Sequence, residues 1–282
     1  YKGGKVTVTA TVTNTGDKAG KDVVEVYYNP PYTDGGIEKA SKNLAGFEKT
    51  KELQPGESQK VTVKFDDDDM ASYDYKGAKA YVLEKGDYDI SIQSDSHHVI
   101  DHKAITVKDT VTYDSDSNTH NGDKTVATNQ FDDVAGDVTY LSRADHFANY
   151  KEATAAPTNF KMSDKAKETF YNNSNYDPKK FDKDSDKMPT TGAKNGLKLS
   201  DMYGKDYDDA DWDKLLDQLT FDDMDNLIAN GGYGTQAVKS VGKIQLTDAD
   251  GPASLNNNFT GVGSIGFPAS TAFACTWNKD LA

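Results

Sequence analysis

Apolar residues alternate strictly with threonine near the start of the chain, and this pattern constrains the fold more than any other feature of the sequence. The alternating set is Val6, Thr7, Val8, Thr9, Ala10, Thr11, Val12 and Thr13. Because successive side chains of a strand point to opposite faces, the pattern predicts a strand with one face in a core and the other in solvent. The β-branched residues on both faces favour the same structure.

Further short apolar runs follow at the spacing that is typical of antiparallel β-structure. They cover residues 23–28, 44–47, 61–65, 80–83, 88–92 and 105–107, with turn signals at 14–17, 54–56 and 84–87. Glycine, proline, asparagine and aspartate in those turns supply the backbone conformations that reverse a chain. Several short strands at this spacing predict an all-β sandwich over residues 1–107.

Residues 108–200 break this pattern, since they are rich in Asp, Asn, Ser, Lys and Thr and contain few apolar clusters. Such a composition cannot bury enough apolar surface to form a core of its own. The segment is therefore predicted to be an irregular polar linker. Its apolar stretch at 138–141 is expected to contact a neighbouring surface.

Residues 201–282 change character again, because apolar residues there recur at helical spacing. The periodic set is Trp212, Leu215, Leu216, Leu219, Met224, Leu227 and Ile228. Thr220 interrupts the set as a predicted cap of a second helix, and Asn230-Gly231-Gly232 is a predicted helix end. A strand at 244–247 and a helix from about residue 269 complete what is expected of the beginning of an α/β barrel or sheet, incomplete at Ala282.

Charge and composition exclude several classes of partner. A net charge of −14 and a pI near 4.7 argue against nucleic acid and anionic membrane, which require a clustered basic face. Arg143 is the only arginine and Cys275 the only cysteine, so bidentate anion sites and cysteine-rich zinc sites are excluded over most of the chain. No run of about 18 apolar residues occurs. The segment is expected to be soluble, its compartment is left open, and a neutral ligand such as a sugar fits it best.

Two sets of motifs resemble glycoside hydrolase family 3. The second half of the chain contains an L-T helix over 219–228, Asp250-Gly251-Pro252, Phe267-Pro268 and an A-x-T-W-N helix over 274–282. In order and spacing these resemble the start of the family's catalytic (β/α)8 barrel. The first half contains a second set of motifs, which resemble the family's fibronectin type III-like module. They cover residues 6–16, 24–27, 44–47, 53–57 and 86–88.

The resemblance implies a domain order and a fold. Residues 1–107 would be the fibronectin type III-like sandwich, 108–200 the linker, and 201–282 the truncated beginning of the TIM barrel. The module precedes the barrel here, as in the inverted members of the family. Residues 140–145 resemble, more weakly, the linkers of those members.

The resemblance also implies a site residue, since the aspartate of the D-G-P loop binds sugar in this family and Asp250 occupies its position. An ionised carboxylate can accept charge-assisted hydrogen bonds from two sugar hydroxyl groups. The alternative from the residues alone is that Asp250 caps a turn, which aspartate before Gly-Pro often does. Ala253 and Ser254 stand where many members have glycine and then a basic residue, which leaves the glycone preference open.

Other motifs favour plain structural interpretations. Asp114 to Asn118 and Asp182 to Asp186 begin like calcium loops but lack the glycine at the sixth position and the glutamate at the twelfth. His97, His98 and His102 lie beside aspartates at the end of the β-module, where a surface turn is expected. No metal and no cofactor are therefore predicted.

By resemblance the parent protein is expected to be a retaining, exo-acting β-glycosidase that hydrolyses a β-linked glucoside or oligosaccharide from the non-reducing end. Its nucleophile and acid/base are expected in flanking domains of the same chain, outside residues 1–282. No catalytic residue is assigned, and the segment itself is expected to be inactive. The alternative is a structural or carbohydrate-binding β-sandwich segment of a surface protein.

Overall fold

The computed structural model of the chain describes residues 1–132, 138–170, 174, 176–251, 253–257 and 261–281. They fall into two units. The first comprises Tyr1–Ser174 together with Phe273–Ala282, and the second comprises Asn175–Ala272.

Antiparallel strands dominate the first unit. They are β1 (Lys5–Thr13), β2 (Val23–Asn29), β3 (Asn43–Lys49), β4 (Ser58–Asp66), β5 (Ser72–Asp74), β6 (Ala80–Leu83), β7 (Gly86–Asp95), β8 (His98–Val107) and β9 (Val111–Tyr113). One sheet has the order β3-β2-β7-β8, a second pairs β1 with β4, and a third has the order β5-β6-β9.

The core of the sandwich is formed by the inward faces of these sheets. Its buried members are Val6, Val24, Val26, Tyr28, Val61, Val63, Phe65, Met70, Leu83, Tyr88, Ile90, Val107 and Tyr113. Outward threonines of β1 and β4 pair across the strands, as at Thr9 and Thr62, whose hydroxyl oxygens lie 3.1 Å apart. The β-sandwich predicted from the alternation is confirmed.

Two strands of the first unit, β5 and β9, were not predicted from the sequence, and β8 is much longer than predicted. β5 and β9 have three residues each, too few to show a periodic pattern. β8 begins at His98 rather than at residue 105. Its first seven residues were not predicted because all of them are exposed on the edge of the sheet. An edge strand with both faces in solvent carries no hydrophobic alternation.

The predicted linker contains short helices, α1 (Tyr150–Ala153) and α2 (Asp164–Thr169), besides β9 and isolated helical turns. The Ser163 hydroxyl caps α2 by accepting a hydrogen bond from the Ala166 amide at 3.1 Å. The two units divide within this stretch, between residues 174 and 175. The boundaries 1–107, 108–200 and 201–282 stay predictions.

In the second unit the helices lie where the periodicity predicts them. They are α3 (Asp211–Leu216) and α4 (Phe221–Ala229). The Thr220 hydroxyl accepts from the Asp223 amide at 3.1 Å, and the Asp223 carboxylate accepts from the Thr220 amide at 3.0 Å. This reciprocal pair is a capping box. The small core consists of Met202, Leu215, Leu219, Val238 and Val241.

The rest of the second unit contains short strand pairs. β10 (Gly234–Thr235) pairs with β11 (Leu246–Thr247), and β12 (Asn256–Asn257) pairs with β13 (Val262–Gly263), both antiparallel. A helix, α5 (Ser270–Ala274), begins near the predicted position, and its last two residues, Phe273 and Ala274, fall in the first unit. A TIM barrel is built from parallel strands, and none of the strand pairs described in this unit is parallel. The barrel therefore stays a prediction. No described helix has the length and hydrophobicity needed to cross a bilayer.

Candidate functional site

Asp250 lies in the loop between β11 and β12, at a point where the backbone is fixed on both sides. Its amide donates to the Asn256 carbonyl at 2.8 Å, and the Asn256 amide donates back to the Asp250 carbonyl at 3.1 Å. This two-way bridge closes the loop that contains Gly251. Pro252 lies outside the described residues.

The carboxylate of Asp250 is exposed and, among the residues the structure describes, takes part in no hydrogen bond. Asp74 shows what a structural turn aspartate looks like in the same chain. Its carboxylate accepts from the amides of Lys76, Gly77 and Ala78 at 3.2, 2.9 and 2.8 Å. Burial alone would raise the pKa of Asp74, but these amides outweigh it and lower that pKa. Within the described part of the chain, the Asp250 carboxylate accepts no such bonds.

Hydrogen bonds tie the neighbouring segment to the Asp250 loop. The Phe267 amide donates to the Ala253 carbonyl at 2.7 Å, and the Leu255 amide donates to the Ser264 hydroxyl at 2.9 Å. The Phe267 side chain is 71% exposed. An exposed carboxylate and an exposed aromatic ring are thus carried by one hydrogen-bonded loop assembly, and small-molecule sites combine aromatic side chains with a few polar groups.

Trp277, the other motif residue at this end of the chain, belongs to the first unit. Its ring meets that of Phe47 on β3 edge to face, with the centroids 5.0 Å apart. This contact was not predictable from the sequence, because the two residues lie far apart in the chain and neither lies in a pattern that points to the other.

A second polar cluster of the first unit was also missed. The carboxylate of Glu38 accepts from the Ser142 hydroxyl at 2.6 Å, from the Arg143 amide at 3.0 Å and from the Tyr32 hydroxyl at 3.2 Å. The Arg143 guanidinium lies 4.0 Å from the centre of the Tyr32 ring. Burial alone would raise the pKa of Glu38, but the three hydrogen bonds and the Arg143 charge lower it. This Glu38 cluster fixes the stretch around residue 142 to the sandwich.

The histidines form local pairs with aspartates. His97 lies in the turn between β7 and β8, as predicted, whereas His98 is the first residue of β8, and its ring is 2.7 Å from the Asp95 carboxylate. His102 was predicted in a turn but lies within β8, where its ring is 2.8 Å from Asp89 across the strands. Within the described ranges, no group of three or more His, Cys, Asp or Glu side chains could hold a metal ion.

The run from Asp114 to Asn118, which begins like a calcium loop, forms hydrogen bonds within the protein. The Asp116 carboxylate accepts from the Val126 amide at 2.8 Å, and Ser115 bridges to Asn118 through the backbone. These bonds close a surface turn.

Comparison with known proteins gives matches to both halves of the chain. Residues 22–96 match the fibronectin type III-like domain family. The whole chain is similar to β-glucosidase A of Butyrivibrio fibrisolvens, with 30% identity over 302 aligned positions that cover 98% of this chain and 33% of that protein. It is also similar to a β-glucosidase of Ruminococcus albus, with 29% identity, 98% of this chain and 28% of that protein.

The chain therefore spans about a third of the length of these curated relatives. Among solved structures, β-glucosidase 3B from Thermotoga neapolitana in complex with α-D-glucose matches 40% of this chain and 15% of its own, at 30% identity and a TM-score of 0.37.

Proposed function

Because the chain belongs to glycoside hydrolase family 3, as a segment of the β-glucosidase type, we propose that it supplies the fibronectin type III-like module and the first part of the catalytic barrel of a retaining, exo-acting β-glycosidase. Its substrate is a β-linked glucoside or oligosaccharide cleaved at the non-reducing end. Asp250 binds hydroxyl groups of the terminal sugar.

The observation that carries the proposal is the similarity to the Butyrivibrio β-glucosidase over 98% of the chain. That similarity extends through the second unit as well as the sandwich, in the same order. A spacer or carbohydrate-binding sandwich of a surface protein would account for the first unit alone. The exposed Asp250 carboxylate supports the assignment of a binding role, since it makes no hydrogen bond to any residue that the structure describes.

The reaction of a retaining glycosidase needs a nucleophile and an acid/base whose carboxyl groups lie about 5 to 5.5 Å apart. Neither is assigned to a residue of this chain. The chain's own contribution is to orient the sugar: a carboxylate that accepts hydrogen bonds from two hydroxyl groups fixes the ring relative to the reacting carbon. Residues 1–282 alone are therefore expected to be inactive.

The test is replacement of Asp250 in the enzyme that contains this chain. Asp250→Ala leaves sugar hydroxyls without their charged partner, a loss of about 1.5 to 3 kcal/mol, and should lower kcat/KM on aryl β-glucosides about ten- to a hundredfold. The melting temperature should stay within about 1 °C, because the carboxylate makes no hydrogen bond among the described residues. Asp208→Ala, at another exposed aspartate of the same unit, is the matched control.

The two interpretations of Asp250 give opposite results. A turn residue would lower the melting temperature and leave the catalytic efficiency of the folded enzyme intact. Unaltered kinetics in Asp250→Ala would refute the sugar-binding role.

A further inference from the structure

We propose that three consecutive residues of β3, Phe47, Glu48 and Lys49, form a docking surface for the chain's own segment 276–279, and that this docking holds the Thr-Trp-Asn motif in its conformation. The sandwich would then be a positioning element for that motif. The proposal does not depend on the proposed glycosidase activity.

Each of the three β3 residues contacts the segment. The Phe47 ring meets Trp277 edge to face at 5.0 Å between centroids and 86° between planes. The Glu48 carboxylate lies 2.7 Å from the Lys279 ammonium, which also stands 4.7 Å from the centre of the Phe47 ring. The Lys49 ammonium donates to the Thr276 carbonyl. The contacts thus combine an aromatic pair, a cation over a ring, an ion pair and a backbone hydrogen bond.

The position of β3 in the sheet explains why it can accept the segment. β3 is at the edge of the β3-β2-β7-β8 sheet, so one side of it is not occupied by a neighbouring strand of that sheet. The half-buried residues of the segment are Thr276, Trp277 and Asn278, whereas Cys275 and Lys279 on either side are exposed. Burial of the motif is therefore local to the three motif residues.

The outer face of the sheet near Phe47 is covered rather than open to solvent. Val24 and Val26 of β2 point into the core, so Glu25 between them points outward. Glu25 is in register with Phe47 on one side and with Gln93 on the other. Yet Glu25 is only 8% exposed and Gln93 only 1%. The Tyr27 hydroxyl donates to the Glu25 carboxylate at 2.8 Å and the Gln93 amide to the Ser91 hydroxyl at 2.7 Å, so side chains of the sheet itself pack this face.

The backbone of Trp277 gives an independent indication. Its φ is +50°, in the left-handed region that bulky residues rarely adopt. Such a conformation persists only where the surroundings hold it. The local bonds, from the Trp277 amide to the Ala274 carbonyl at 3.0 Å and from the Asn278 amide to the Thr276 hydroxyl at 3.3 Å, are an ordinary turn set. The contact with Phe47 is the long-range contact that holds the Trp277 ring in place.

The relative weight of the contacts follows from their exposure. The Glu48 and Lys279 side chains are 45% and 55% exposed, so their ion pair is screened and weak. The aromatic pair is half-buried and is the main attachment. Loss of Phe47 should therefore release Trp277 more than loss of either charge.

The experiment uses the two tryptophans of the chain, Trp212 and Trp277, labelled as 5-fluorotryptophan. Fluorine NMR gives one resonance for each, and Trp212→Phe assigns them. Phe47→Ala should move the Trp277 resonance toward its position in urea and leave Trp212 in place. The undocked-to-docked ratio should rise about two- to tenfold, the range that an aromatic pair contributes.

Two variants serve as controls on Phe47→Ala. Phe47→Tyr keeps the ring and should restore the native Trp277 resonance. Leu44→Ala removes an exposed side chain of the same strand and should move neither resonance.

A Trp277 resonance that stays in place in folded Phe47→Ala overturns the proposal. If Phe47→Ala unfolds and both resonances move, variants of the exposed ion pair between Glu48 and Lys279 test the proposal instead. Glu48→Gln and Lys279→Gln should each give a smaller displacement of Trp277 alone, and no displacement in either one overturns the proposal as well.

Discussion

Glu38 offers the sharpest test of how the stretch around residue 142 is held. Its carboxylate accepts hydrogen bonds from Ser142, from the Arg143 amide and from Tyr32, and no neutral side chain of the same size can accept all three as well. Glu38→Gln keeps one acceptor oxygen, removes the negative charge and places an amide group opposite two donors. The stretch should therefore detach from the sandwich more often.

The magnitude follows from the kind of bonds lost. A hydrogen bond to a charged group contributes about 1.5 to 3 kcal/mol, and Gln retains part of one such bond. Glu38 is half-buried, so solvent compensates some of the loss. We expect a local cost of about 1.5 to 2.5 kcal/mol, which corresponds to roughly a ten- to seventyfold increase in the detached population.

Hydrogen exchange at the Arg143 amide measures that population directly, because this amide donates to Glu38 at 3.0 Å. Its protection factor should fall by the same ten- to seventyfold in Glu38→Gln, where about 1.4 kcal/mol corresponds to each factor of ten. Glu57→Gln, at a carboxylate of the same module that pairs with Lys51, should leave the Arg143 amide unchanged.

The native chain should show a matching dependence on pH. In the folded chain the pKa of Glu38 is lowered below its ordinary value of 4.5. The stability that the Glu38 carboxylate contributes is therefore complete above pH 4.5 and is lost as pH falls through the folded pKa. Arg143 protection, corrected for the intrinsic exchange rate, should decline as pH falls below 4.5 in the native chain and stay flat in Glu38→Gln. Equal protection in both proteins at neutral pH would refute the reasoning.

The remaining predictions concern a helix cap and activity. Thr220→Ala removes the side-chain acceptor of the α4 capping box and should destabilise the second unit by about 1 kcal/mol, measured by urea denaturation, whereas Thr220→Ser should retain most of the stability. An unchanged midpoint in Thr220→Ala would contradict the capping role. The purified 282-residue chain should not hydrolyse aryl β-glucosides above the buffer rate, and turnover that is abolished by a substitution within the chain would disprove this.

Local patterns in the sequence predicted local structure. The alternation in β1 identified a strand because one face is buried, and Thr220 identified a helix start because its hydroxyl bonds to an amide three residues away. β5 and the exposed half of β8 escaped prediction because neither has a buried periodic face.

Local sequence patterns did not predict contacts between residues that are far apart in the chain. The lone arginine at 143 stood out in the composition, but nothing nearby indicated that it stacks on Tyr32 while its amide meets Glu38. The pairing of Phe47 with Trp277 was likewise not predictable. The role of Asp250 came from motif resemblance, and the structure adds only that its carboxylate is exposed.

The contact between β3 and the segment 276–279 has a consequence for synthesis on the ribosome. Glu48 and Lys279 are separated by 231 residues. At about 5 to 20 residues per second, translation needs roughly 10 to 50 s to cover that distance. The sandwich can finish folding well before its docking segment emerges, and Phe47 lies uncovered on an edge strand in the interval. Glu48 and Lys49 beside it are charged, which discourages a second nascent chain from pairing with that edge.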